Sequence, residues 1–165
     1  MNKLSLSVQY VSSAKDLPRR ALFRRWVKAA LHHDVQITLR IVDEDEGRNL
    51  NRDFRGKDYA TNVLTFVYDE EVQPRHGGVE PADAGGAAGR LLYGDIVLCA
   101  PVVAREARAQ RKDTCEHYAH LAIHAMLHLQ GYEHEEEEDA SEMEKLETAI
   151  MLKLGYADPY QVVTS

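Results

Sequence analysis

Apolar and polar side chains alternate from the start: Leu4, Leu6 and Val8 interleave with Ser5, Ser7 and Gln9, the period-two pattern of a half-buried strand. The period then lengthens. Behind Pro18, a residue suited to a first helical turn, Leu22, Trp26 and Ala29 or Ala30 recur on one helical face. Val35, Ile37, Leu39 and Ile41 alternate with Gln36, Thr38 and Arg40 and predict a second strand. Asp43 has the chemistry of a helix cap, Glu44, Asp45 and Glu46 suit the positive end of the dipole, and Gly56 can terminate that helix, which places Arg55 at its end. The β-branched and aromatic runs at 63–68 and 91–98 predict a third and a fourth strand. Between them, residues 69–90 are rich in Gly, Pro and Ala without periodicity and read as a flexible surface loop. Residues 101–111 have a helical pattern, and Asp113 with Glu116 offers a capping box for the helix that follows. A last helix is expected from Ser141, capped with Glu144, presenting Met143, Leu146 and Ile150 and stopping at Gly155. Strands interleaved with helices make an α+β fold, one domain over residues 1–165, with a small four-stranded mixed sheet and about five helices.

Composition narrows the function classes. Apolar content of 44% with 28% charged residues is that of a globular domain, and no run approaches the ~20 apolar residues of a membrane span. The N-terminal segment is strand-like and lacks the continuous apolar stretch of a signal peptide, so a cytoplasmic location is expected, with no membrane partner. Cys99 and Cys115 form no C-x-x-C pair and read as packing thiols. A net charge of −7 argues against nonspecific coating of DNA. The charge is uneven: residues 1–80 hold 13 Lys and Arg against 12 Asp and Glu, and residues 81–165 hold 7 against 15. An anionic partner should meet the first half. Its basic groups are Arg19, Arg20, Arg24, Arg25 and Lys28, which read as a solvated helix face, and Arg48, Arg52, Arg55 and Lys57.

The chemistry concentrates in HAMLHLQGYEH, residues 124–134. At 3.6 residues per turn, His124 and His128 project about 40° apart, so both rings can reach one point. Gly131 falls where the helix should end, and the chain can double back to bring His134 in as a third nitrogen with a fourth position left open. Three imidazoles favour zinc, one ion per chain, although nickel, copper or iron(II) also suit such ligands. The spacing H-x-x-x-H-x-x-G-x-x-H is that of the metzincin proteases, but Ala125 stands where their general-base glutamate would be. His117 and His120, one or two turns earlier, suit supporting or core roles. Glu133 adjoins a candidate ligand, and the acidic run 135–139 reads as solvated charge.

HAMLHLQGYEH resembles the signature H-G-x-L-H-L-x-G-Y-D-H of the YbeY family of endoribonucleases, also called ribosomal RNA maturation factors. Leu50-Asn51, Phe54 to Asp58 and Thr61 to Phe66 are similar to its second signature, Gly94 to Cys99 to its third, and Leu154-Gly155-Tyr156 with Asp158-Pro159-Tyr160 to its ending. The resemblance implies a small α+β fold with a four-stranded sheet, zinc on His124, His128 and His134, and hydrolysis of single-stranded RNA. It further implies maturation of small-subunit ribosomal RNA, especially its 3′ end, and quality control of ribosomes, with Arg55 and His124 essential. Ala125 replaces the family's glycine, Glu133 its aspartate and Ala60 often its proline. None of these removes a ligand.

With RNA as substrate, Arg55 is the guanidinium expected to stabilise charge on phosphorus, although an ion pair with Asp53 or Asp58 is equally compatible with its place in the chain. The nucleophile is either a water activated at the metal or the ribose 2′-hydroxyl. Two competing functions are compatible with the motif: a zinc peptidase, which Ala125 disfavours, and a non-catalytic ribosome-assembly factor with a structural metal.

Overall fold

The alternating segments become four strands of one mixed sheet. The computed structural model describes residues 2–68, 91–132 and 137–161. Strands β1 (Leu4–Tyr10), β2 (Asp34–Val42), β3 (Val63–Tyr68) and β4 (Leu91–Cys99) lie in the order β1-β2-β4-β3. β1 and β4 run parallel to β2, and β3 is an antiparallel edge strand beside β4. Five helices accompany them: α1 (Arg20–Ala29), α2 (Glu44–Arg55), α3 (Ala100–Ala109), α4 (Thr114–Leu129) and α5 (Glu137–Lys153). The stretch 69–90, expected as a flexible loop, lies outside the described residues. No helix among the described residues is long and apolar enough to cross a membrane.

Register decides which face is core. Val35, Ile37, Leu39 and Ile41 of β2 stand beside Leu92, Gly94, Ile96 and Leu98 of β4, and this face packs against α1 and α4. The expected face of α1 turns inward at Trp26 and Ala30, with Leu22 half-buried against the core, and Phe23 and Val27 widen the buried stripe. Aromatic rings fill it: Phe23 meets Trp26 and Tyr118 edge-on at 5.3 and 6.0 Å between centroids, and aromatic side chains bring the largest apolar area. α4 is apolar nearly all round and runs through the centre, as such a helix must. Gly94 lets it approach the sheet, because a Cβ there would lie 2.4 Å from Leu129 Cδ1 and 2.7 Å from the Phe66 carbonyl.

The opposite face of the sheet is only partly covered. Val42, Leu64, Val97, Cys99 and Val102 form a second, smaller cluster with Leu50 of α2 against it.

Two expected caps and one expected helix start are corrected. The Asp43 side chain does not cap α2; it accepts from the hydroxyls of Ser12 and Ser13 and from the Ser13 amide, tying the β1 exit to α2 and holding its carboxyl below the usual range. Asp113 accepts from the Glu116 amide at 3.2 Å, but the Glu116 carboxylate goes to the Ala157 amide at 3.3 Å, so only half of the capping box forms. α5 begins at Glu137, not Ser141, because the acidic run supplies a first turn that the helix dipole favours.

Candidate active site

Among residues 121–130 of α4 and its cap, every position is buried except His124 and His128, which are half-buried. This stretch of α4 therefore meets solvent at these two imidazoles. α4 ends at Gln130, and Gly131 turns the chain with φ +106°, its amide donating to His128 O at 3.1 Å and the Tyr132 amide to Leu127 O at 3.0 Å. This double bond pattern is a left-handed helix stop, and a side chain would strain it. Gln130 anchors the stop. Its carbonyl accepts from the amides of His32 and His33 at 2.6 and 3.0 Å, and its amide donates to Ala30 O and Met126 O at 2.7 and 2.9 Å.

His134, the third expected ligand, and Glu133 lie outside the described residues. Among the described residues, no group of three His, Cys, Asp or Glu is placed to hold a metal ion.

A cavity of about 480 Å³ lies between α4, the β3 edge and the α2–β3 connection, and both His124 and His128 line it with Arg55, Lys57, Tyr59 and Asn51. Arg55, the last residue of α2, donates from Nη2 to Thr65 O on β3 at 2.9 Å. The alternative ion pairs are taken by others: Arg48 holds Asp58 bidentately at 2.8 and 3.0 Å, and Arg52 holds Asp53 at 3.2 Å. Asn51, 2% exposed, donates to Tyr59 O at 2.7 Å and fixes the segment that carries Lys57 and Tyr59. The first basic group is elsewhere, on α1, where Arg20 stacks on Tyr10 at 4.9 Å.

Glu147 belongs to none of the sequence motifs. This carboxylate of α5 has no exposed surface, and it meets His124 Nδ1 at 2.6 Å, His120 Nε2 at 2.7 Å and the Tyr160 hydroxyl. Burial alone would push its carboxyl up; the hydrogen bonds from His120, His124 and Tyr160 outweigh that and lower it from 4.5 to about 2. Tyr160 is pushed up by burial and by the same carboxylate, so its hydroxyl remains a donor. In a neutral His124, donation from Nδ1 to Glu147 makes Nε2 the acceptor nitrogen of the ring. The clue to Glu147 was its spacing: Met143, Glu147 and Met151 follow at i, i+4 and i+8, a charge on an otherwise buried stripe. His120 and His117 take the supporting places expected of them, His117 Nε2 meeting Glu106 at 2.9 Å. Cys99 and Cys115 are free, and burial pushes both thiols up, consistent with packing.

A sequence model of a family described as Endoribonuclease YbeY matches residues 7–155. An Endoribonuclease YbeY of Nitrosospira multiformis is 60% identical over 161 residues, covering 96% of this chain and 82% of its own, and one from Nitrosomonas europaea is 54% identical over 160 residues, covering 97% and 87%. The solution structure of TM1509 from Thermotoga maritima aligns with a TM-score of 0.50 at 25% identity, over 93% of this chain and 99% of that one.

Proposed function

Because the chain belongs to the Endoribonuclease YbeY family, we propose that it is a zinc-dependent hydrolase that cleaves single-stranded RNA in the cavity shared by Arg55, His124 and His128. One observation carries this reading: a guanidinium and two helix-borne imidazoles line the same cavity. Its biological substrate is ribosomal RNA of the small subunit, matured at the 3′ end in the cytoplasm, with a part in ribosome quality control.

His124, His128 and His134 would hold the metal. The donor set fits, since three neutral imidazoles are a usual zinc set and the buried Glu147 fixes the tautomer of one of them. A bound zinc ion supplies Lewis acidity toward a phosphoryl oxygen. The protein does the rest with its own groups. Arg55 offers a planar fork to a nonbridging oxygen and remains charged through the reaction, which stabilises the charge that grows there. Lys57 adds a second positive charge in the same cavity. Asn51, by holding the Tyr59 carbonyl, keeps the connection that bears Lys57 in place.

Arg55→Ala is expected to slow cleavage of a single-stranded RNA by at least ~10²-fold while metal content is retained, and His128→Ala to lose both. Elemental analysis and gel-based cleavage assays on the same preparations check this. Wild-type rates from the Arg55→Ala protein would overturn the role given to Arg55.

A further inference from the structure

On the other side of the β3 edge, a second cavity of about 680 Å³ occupies the part of the sheet face that α2 leaves open. Its size is within the ~300–1,000 Å³ range of small-ligand sites. Arg55 and Thr65 line both this cavity and the one that contains the histidines. A strand held by its phosphate at Arg55 therefore has room on either side of that residue.

The two cavities differ in charge. Around the histidines the flexible charges are Arg55 and Lys57, which favour a phosphate. In the second cavity the carboxylates of Glu46 and Asp95 share the wall with Arg40, and Arg40 is already paired with Glu46 at 2.6 and 3.1 Å. With Arg40 so paired, this wall favours phosphate less than the histidine side does, and its carboxylates suit the amino and imino groups of a base edge. Aromatic surface completes it. Phe54 and Phe66 meet edge-on at 5.3 Å between centroids, and Phe54 is 65% exposed although it adjoins a cavity. At that exposure Phe54 contributes little buried area to the described residues.

We propose that this second cavity is a nucleobase subsite, in which a base next to the phosphate held at Arg55 stacks on Phe54 and turns its polar edge toward Asp95, Thr38 and Arg40. The inference rests on the reading of the chain as a ribonuclease and adds to it a place where the strand is gripped by a base and not by its backbone. Stacking on an exposed ring is tolerant of base identity, and the carboxylate wall disfavours a nucleotide that presents only acceptors.

The test is fluorescence anisotropy with single-stranded RNA of about 12 nucleotides, a length that spans the usual site sizes. Phe54→Ala should weaken binding about 5–100-fold, and Phe54→Trp should restore it. Its salt dependence should equal that of the wild type, whereas Arg55→Ala should flatten the slope by about one contact. Scanning a single abasic nucleotide along the strand should reveal one position where the wild type loses affinity by the same factor and Phe54→Ala loses no more. Circular dichroism of Phe54→Ala, a surface change, controls for folding. Wild-type binding with an unaltered affinity in Phe54→Ala overturns the subsite and leaves the ribonuclease reading intact. Absence of RNA binding by the wild type overturns that reading and the subsite with it.

Discussion

Two histidine–carboxylate contacts on α4, two turns apart, have nearly the same length and different surroundings. His117 meets Glu106 at 2.9 Å, and His124 meets Glu147 at 2.6 Å. In the first pair the imidazole is the buried partner, 4% exposed at its side chain, and the carboxylate reaches solvent at 32%; in the second the carboxylate is buried at 0% and the imidazole opens to a cavity at 29%. Glu106 also accepts from Asn62 Nδ2 at 3.0 Å, so the first pair joins α3, α4 and the entry to β3. Glu147 also meets His120 and the Tyr160 hydroxyl, so the second pair joins α4, α5 and the segment after α5. The same chemical contact is scaffold where the ring is sealed and site where the ring is open. Exposure of the ring, and not the hydrogen bond itself, separates them.

That contrast can be broken most forcefully at Glu147. Glu147→Ala leaves two imidazoles and a phenol around a void and is expected to cost several kcal/mol in urea unfolding, about 1–3 for each buried donor left without its acceptor. Glu147→Gln keeps the volume, and its expected signature is a zinc affinity lower by ~10–100-fold in chelator competition. Glu106→Gln should leave that affinity unchanged; an equal loss from both variants would abolish the distinction drawn here.

Gly94→Ala probes the other end of α4. The added methyl meets Leu129 and the Phe66 carbonyl, and an expected loss of ~1–3 kcal/mol in thermal or urea unfolding reports overpacking. Because Leu129 adjoins His128, the variant should also weaken zinc binding, which a change confined to the His117 end should not. The smallest effect concerns acid. Burial holds His117 below the usual 6.5, despite Glu106 beside it and with Lys112 and His120 adding positive charge. The unfolded chain thus takes up this proton first. The stability that His117 contributes by remaining neutral is intact above 6.5 and is lost as pH falls below it, through the folded value. His117→Asn should therefore flatten the decline in urea midpoint between about pH 6.5 and 5, and an unchanged slope would show that the ring titrates freely.

Much of the α+β architecture was legible because local signals and tertiary demands agree. β3 occupies the expected residues 63–68, and the glycines at 56, 131 and 155 all take positive φ where the helices stop. The pairing of His124 with His128 followed from helical periodicity alone. What could not be read depended on partners distant in sequence. Asp43 prefers the hydroxyls of a strand exit 30 residues away to its own helix, and Glu116 prefers Ala157 to its own cap. Glu147 finds its histidines 23 and 27 residues back along the chain, and only the packing of α5 on α4 brings them together. Arg55 is the intermediate case: its helix end was evident, but which of several nearby acids would claim it depended on Arg48 and Arg52 claiming them first.

Gln130 has one more effect. It bolts the end of α4 to Ala30 across a sequence distance of 100 residues, so the spot from which the chain departs after Tyr132 is stationary relative to the two imidazoles. His128, two residues before that glutamine, therefore shares its anchorage with the end of α1, and a change at Ala30 would be felt at the imidazole. A cut in that mooring would loosen the ring without touching it.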